Sequence, residues 1–552
     1  MIRKSWLVIA SLILILAAAG AYFWATAIMD SLMEFRSPLA ENPPAAGEPL
    51  GDPLTERVVI ILVDALREDT ALDPEVMPYL DELRQQSAWA TMRSLPPSYS
   101  SPGWTTLLTG ARADINDSQP ANPPDYNSVR AFTQDNIFAS ADRAGMQTAV
   151  SGFGWFEGML STSGVDTGFY TPGEDHAADL EVLAAAQSYL QDGSYQLVLI
   201  HLDQVDYAGH HEGGPRSENW TAAAARVDTM IETIVSQLDL EKDTVLVLSD
   251  HGQIDRGGHG GQDPITLIEP FLMAGKGVIP GSYPDIQMVE VAPTVAVLLG
   301  LNLPASGQGR ALTEMLDLTL DQTARIEVSL QAQQSELVEA YLTAIGQPRD
   351  TQTELSTIQD YQNALKDARS QRLAQERLPR AVLALLAAAI PAGIMIYKRS
   401  KNLPWLIGGA VLYLAGFNLI YAVIVGKTYS LSSVYSADDL ILSTAMYAGI
   451  AILAAWLVFM LGSKAFSKAP ASAARQTLNL GLVSMYLLAL PVIWNYFWNG
   501  PVIVWTLPEF NSMFLAFLSI VQVLFVSVLS LVLAGIAAGV AKISKPRSVS
   551  AG

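Results

Sequence analysis

The sequence predicts an α/β domain with a mostly parallel sheet, joined to an α-helical transmembrane bundle. Three observations lead there. Apolar, β-branched runs alternate with helical patterns through residues 57–303, the pattern of a parallel sheet covered on both faces. Six segments are apolar over the width of a bilayer. Acidic and histidine residues stand directly after several strand-like runs, at the carboxyl edge where such sheets build their sites.

The first apolar segment, residues 6–28, reads as an uncleaved anchor: its run is longer than a signal-peptide core, although Ala25-Thr26-Ala27 resembles a cleavage site. Residues 37–53, rich in Pro, Ala and Gly, read as a tether. Residues 58–63 (VVIILV) form a run buried on both faces, and further strands are expected at 147–150, 197–201, 244–248 and 271–274. Helical patterns fall at 77–87, 129–144, 177–190, 219–238 and 289–299. Residues 312–345 and 351–377 read as a helical hairpin broken at Gly346-Gln347-Pro348. Five more spans follow, at 381–397, 403–425, 440–461, 478–498 and 513–541. The expected domains are therefore an anchor (1–29), a linker (30–55), a catalytic domain (56–311), the hairpin (312–377), a five-span bundle (378–543) and a tail (544–552).

Charge orients the bundle. Arg3 and Lys4, then Lys398, Arg399 and Lys401, then Lys464, Lys468 and Arg475, and finally Lys542, Lys545 and Arg547 all fall on one side if both termini are cytoplasmic. The alternate loops carry Asp438, Asp439 and Glu509, with Lys427 their lone basic residue. The segment between the first two spans is then expected outside the cytoplasm, in a multi-pass cell-membrane protein. Half of the 552 residues are hydrophobic and 16% are charged, a composition suited to such a chain. A net charge of −21 argues against a nucleic-acid partner. The absence of cysteine excludes disulfides and thiolate chemistry.

Five of the six histidines lie between His201 and His259, in HLDQVDYAGHH and SDHGQIDRGGHGG. Imidazole and carboxylate without sulfur suit zinc or manganese. Six residues, Asp64, Asp206, His210, Asp250, His251 and His259, make a ligand set for two divalent ions, which together clamp a phosphoryl group. His201 and Asp203 are expected to support those ligands, while His211 and His176 read as solvated loop residues. A nucleophile must be a hydroxyl, and PPSYSSPGWTTLLTG offers Ser98, Ser100, Ser101, Thr105 and Thr106. Pro102 suits a first helical turn, which puts Ser100 and Ser101 at a helix N-terminus that favours an anionic phosphate.

In order, VDALRED, SYSSPGWTTLLTG, DYAGH, SDHG and a glycine-flanked histidine resemble the alkaline phosphatase superfamily over residues 57–303. The resemblance implies an αβα sandwich and a serine nucleophile at Ser100, two residues before the proline. Where the sulfatase pattern has an arginine this chain has Trp104, and where nucleotide pyrophosphatases have an asparagine it has Gly103. The chain is similar to the ethanolamine-phosphate transferases of glycosylphosphatidylinositol assembly. The shared elements are Asp64, Leu66, Arg67 and Asp69; Ser100, Pro102 and Gly103; and His259, Gly260, Asp263 and Pro264. That similarity adds Arg67 and Gly103, and the helix start adds Ser101, to the substrate-side or supporting residues. The expected activity is phosphoester hydrolysis outside the cytoplasm. The alternatives are transfer of a phosphoethanolamine-type group from a lipid-linked substrate, a sulfatase, and an inactive membrane scaffold.

Overall fold

The computed structural model describes residues 2–348, 355–397 and 402–544, and the chain divides into two compact units. The first, Met33–Leu373 with Val504–Leu507, holds a nine-stranded sheet. Its strands are β1 (Arg57–Val63), β2 (Ala88–Arg93), β3 (Thr148–Phe153), β4 (Thr167–Thr171), β5 (Leu197–Leu202), β6 (Asp243–Leu248) and β7 (Ile268–Gly275), with two-residue β8 (Gly281–Ser282) and β9 (Ile286–Gln287). The order is β4-β3-β5-β1-β6-β7-β2-β8, and β9 pairs with β2. From β4 to β6 every pairing is parallel, whereas β7 runs antiparallel to both β6 and β2. The mostly parallel α/β sheet is thus as the sequence predicts.

β1 shows why this run lies at the centre. Val58, Ile60 and Leu62 face a core containing Trp104 and Phe156, and Val59, Ile61 and Val63 face another containing Trp220 and Met230. Alternate side chains point to opposite faces, so only a continuous apolar run satisfies both.

Several expectations shift. The helix expected over 129–144 is confined to Ile137–Arg143, because Asn136 caps it by accepting from the backbone N–H of Phe138 and Ala139. β2 and β4 were not anticipated. β2 buries only Ala88, Ala90 and Met92, a weak strand signal, and β4 is a half-exposed edge. His176 and His211 are not loop residues: His176 opens the helix His176–Asp192, and His211 closes the helix Gln204–His211. The pattern at 312–345 becomes helical only at Leu320–Ala344, started by a Thr319–Gln322 capping box. Residues 351–354 of the second hairpin helix lie outside the described residues.

The second unit comprises the N-terminal helix Ile2–Met33 and the helices beyond Ala374. Among the described residues, six helices are long and apolar enough to cross a membrane, at the six places the sequence indicates. Ile358–Tyr397 is one continuous helix that passes the expected hairpin boundary at 377 and both Pro379 and Pro391. Leu403–Asn418 continues as a π-helical stretch, Leu419–Ile424. Inside the bundle the Tyr413 hydroxyl donates to Gln522 Oε1 at 2.7 Å. Lys398, Arg399, Lys401, Lys545 and Arg547 lie outside the described residues.

Candidate metal and nucleophile site

The three adjacent parallel strands β5, β1 and β6 end side by side, and each carboxyl end releases an acidic residue. Asp64 follows β1, Asp203 and Asp206 follow β5, and Asp250 with His251 follows β6. Two groups of three potential ligands result, Asp64–Asp250–His251 and Asp206–His210–His259, and within each the ligand atoms lie within 4.8 Å of one another. These are the six residues singled out from the sequence. Asp64, His201 and Asp203 form a third group of the same kind.

Each group is held from behind. Asp250 Oδ1 accepts from the backbone N–H of Ala65 and His251 (3.2 and 3.0 Å), leaving Oδ2 buried without a partner. Asp64 Oδ1 is likewise buried and unpartnered, while Oδ2 meets His201 Nε2 at 2.9 Å. His251 Nδ1 lies 3.1 Å from Gly252 O and His259 Nδ1 2.9 Å from Ser98 O. A carbonyl there fixes N–H on Nδ1 and leaves each Nε2 a lone pair. The His251 and His259 rings stack at 3.9 Å, so His259 sits in a buried loop rather than a flexible one.

Electrostatics are consistent with a cation at this place. Burial pushes the Asp64 and Asp203 carboxyls well above the usual range, with Asp250 and Asp206 respectively adding like charge, and pushes Asp250 up to about 7. Burial also pushes His251 down to about 4, His201 to about 3, and His259 well below its usual value. Carboxylates and neutral imidazoles gathered in a low dielectric gain their missing counter-charge from a divalent ion. The donor set, three carboxylates and three imidazoles with orphaned oxygens aimed inward, fits two such ions.

The helix Ser100–Thr109 begins at this edge with Ser100 in its first turn. Ser100 Oγ lies 3.3 Å from His251 Nε2. Ser98 is committed elsewhere: its hydroxyl contacts Gly261 O and Thr266 and accepts from Gly260 N–H. Ser101 is buried, and its backbone N–H donates to Asn122 Oδ1. Among these serine hydroxyls only that of Ser100 reaches a candidate ligand. Gly103 lets the helix close on β6, since a Cβ there would sit 3.0 Å from Asp250 O. Gly209 is more demanding, because a Cβ would fall 1.7 Å from the Gln253 Oε1 position. Gln253 in turn donates to Asp206 Oδ1. Arg67 does not face Ser100; its buried guanidinium pairs with Asp69 and Asp255 and reaches Gln253 O at 3.5 Å, bracing the ligand loop.

Two features escaped the sequence reading. Asn122 Nδ2 donates to Ser100 Oγ at 3.3 Å, so a loop supplies a carboxamide beside the hydroxyl. No motif marks this residue, which lies 22 positions downstream. An aromatic wall also rises from the buried Trp104, stacked on Phe156 at 4.2 Å, through Phe153 and Trp155 (5.0 Å) to the half-exposed Tyr126 (6.1 Å from Phe153). Burial raises the Tyr126 hydroxyl, helped by Glu174 and Asp203, and burial with Asp206 raises the Glu174 carboxyl. Glu174 is therefore electrostatically part of the same site.

Residues 58–289 match the family of type I phosphodiesterases/nucleotide pyrophosphatases, which act on phosphoesters. The catalytic subunit of GPI ethanolamine phosphate transferase 3 of Mus musculus is 27% identical over 288 residues, covering 47% of this chain and 26% of the mouse protein. GPI ethanolamine phosphate transferase 2 of Yarrowia lipolytica is 26% identical over 356 residues, covering 57% of this chain and 40% of its own length. The chain thus spans well under half of these relatives. Among solved structures, murine ectonucleotide pyrophosphatase/phosphodiesterase 5 aligns at 14% identity with a TM-score of 0.38, covering 45% of this chain and 96% of that one. The resemblance carried by the motifs is thus also found by the family model over residues 58–289.

Proposed function

We propose that the chain is a membrane-anchored, two-metal enzyme that transfers a phosphoethanolamine-type group through Ser100. The carrying observation is Ser100 Oγ at 3.3 Å from His251 Nε2, beside two three-ligand groups. Zinc fits the donor set best, and manganese is the alternative. Bound there, the ions would supply charge neutralisation for the phosphoryl oxygens. The residues do the rest. The Ser100 oxygen bonds to phosphorus as the ester oxygen of the donor departs, taking up the proton that the serine loses. An acceptor hydroxyl then attacks the phosphoserine, and its own proton restores the Ser100 hydroxyl. The Asn122 amide and the Ser100 backbone N–H, at the start of the helix, hold the phosphoryl group. The aromatic wall and Glu174 offer an ammonium group a π face and a carboxylate.

Transfer is favoured over the hydrolysis expected from sequence because the relatives named above are transferases. Hydrolysis is the second reading, supported by the phosphodiesterase description of the matching family, and differs only in water replacing the acceptor. Incubating membranes with headgroup-labelled phosphatidylethanolamine and a hydroxyl-bearing glycolipid tests the choice. Label on the glycolipid, dependent on Ser100, is expected; label released only as free phosphoethanolamine would establish the hydrolase instead.

The topology belongs to the same proposal: catalytic unit outside the cytoplasm, both termini inside. Lys427, the lone basic residue of the outer loops, supports this, because it is neutralised by Asp439 at 2.8 Å. Protease added to spheroplasts is expected to cleave within 34–373, while a reporter fused after Gly552 behaves as cytoplasmic. A protected catalytic unit would reverse the orientation.

A further inference from the structure

A second cavity, of about 300 Å³, opens away from the metal site within the first unit. It lies between the segment after the Ser100–Thr109 helix and the two helices Leu320–Ala344 and Ile358–Tyr397. Arg112 borders it, three residues past Thr109, the helix's last. Ten helical residues rise about 15 Å, so Ser100 and this cavity lie at opposite ends of one helix.

The lining is polar and cationic. Arg112, Lys366 and Arg369 face Asp114 as the lone carboxylate, with which Arg369 pairs. Among the described residues the side chains of Arg112 and Lys366 have no acidic partner, in a chain whose net charge is −21. An excess of cations is thus the exception in this protein, and two cations without an acidic partner among the described residues, at one concavity, favour an anion. Four carboxamides line it too, beside Ile115 and Leu365. Gln308 accepts from Arg112 N–H at 2.8 Å, and Gln362 donates to Gln308 O at 3.0 Å. Gln359 donates to Asn363 Oδ1 at 3.1 Å, which leaves the Asn363 amide hydrogens and the Gln362 carbonyl to a ligand. Tyr341 lines the same space. Paired donors and acceptors of this kind recognise hydroxyl groups, and the volume is at the lower end of ligand sites.

From this combination we infer that the cavity is a second ligand site, remote from Ser100, for a phosphorylated polyol. Arg112 and Lys366 hold the phosphate, with Arg369 close by, and the carboxamides and Tyr341 bind the ring hydroxyls. The polyol phosphate is either soluble or the exposed head of a lipid. The inference is independent of how the Ser100 site is read, since it shares no residue with it.

Calorimetric titration of the full, metal-loaded chain in phosphatidylcholine nanodiscs tests it, with myo-inositol 1-phosphate, myo-inositol and inorganic phosphate as probes. The metal site also attracts phosphate, so wild type is compared with R112Q/K366Q, and the difference reports the cavity. Inositol phosphate is expected to show one binding event in wild type that weakens at least about tenfold in the double variant, the loss of two charge-assisted contacts. Turnover of a small phosphodiester stays unchanged. Lys366 is exposed, so K366Q alone guards against misfolding: it weakens binding several-fold at an unaltered melting temperature. Phosphatidylinositol in the nanodisc assigns a lipid source if it competes away this event, and a soluble source if it does not. Identical titrations of wild type and R112Q/K366Q would overturn the site. Inorganic phosphate binding there as tightly as inositol phosphate would overturn the polyol.

Discussion

Replacing Ser100 by alanine is expected to abolish turnover, by at least about a thousandfold, while leaving metal content and melting temperature unchanged. A thousandfold is about 4 kcal/mol at 1.36 per factor of ten, the scale of losing a covalent intermediate rather than one contact. The neighbouring serines give the control. Ser101 meets Asn122 through its backbone N–H, so Ser101→Ala keeps that bond and is expected to cost less than about tenfold. Ser98 braces the His259 loop, and Ser98→Ala is expected to act on stability. Asn122→Ala removes a donor from the Ser100 oxygen and is expected to lower kcat about a hundredfold, the cost of one donor at developing charge. Acid quenching during turnover should trap the phosphoethanolamine-type group on Ser100. An active Ser100→Ala with a dead Ser101→Ala would move the nucleophile by one residue.

The sheet and its ligands were legible for one physical reason. β1, β5 and β6 are buried on both faces and so read as continuous apolar runs, and each ends abruptly at an acidic residue. A change from Val63 to Asp64 or from Ser249 to Asp250 can be seen in one dimension. β2 and β4 could not, because alternating alanine and an edge rich in Thr and Gly carry little apolar signal. Asn122 was hidden differently. It reaches Ser100 from a loop with no periodicity, and only the folded path brings the two together. Arg67 shows the converse: its motif was visible, but its pairing with Asp69 and Asp255 appears only in the fold.

The helix boundaries failed where side chains override propensity. Asn136 stops the chain from being helical before Ile137, although the apolar spacing of 129–144 suits a helix throughout. In the other direction, neither Pro379 nor Pro391 ends the helix Ile358–Tyr397. The expected boundary at 377, between the hairpin and the span at 381–397, rested on a change of composition from charged to apolar. Composition alone does not end a helix; capping and tertiary contacts do.

Metal removal is the second large effect expected, and it separates the two ligand groups. The purified protein should hold close to two equivalents of zinc or manganese, and chelation should abolish activity. His251→Ala and His259→Ala each take one ligand from a different group, so each should leave about one tightly held equivalent. His251→Ala should also be the more damaging to turnover, because its Nε2 stands next to Ser100 Oγ. Gln253→Leu removes no ligand from either group. It removes the donor on Asp206 Oδ1, and an outer partner of this kind is worth about ten- to a hundredfold in metal affinity. Its loss should therefore appear first at the Asp206–His210–His259 group, with activity restored by excess metal. Binding of ions to the folded chain alone also stabilises it, by about 2.7 kcal/mol for one site at a hundredfold excess over Kd. Chelation should lower the melting temperature of wild type more than that of either histidine variant. Full activity in the metal-free protein, or an unchanged metal content in both variants, would remove the metals from the reaction and leave Ser100 without its electrostatic partners.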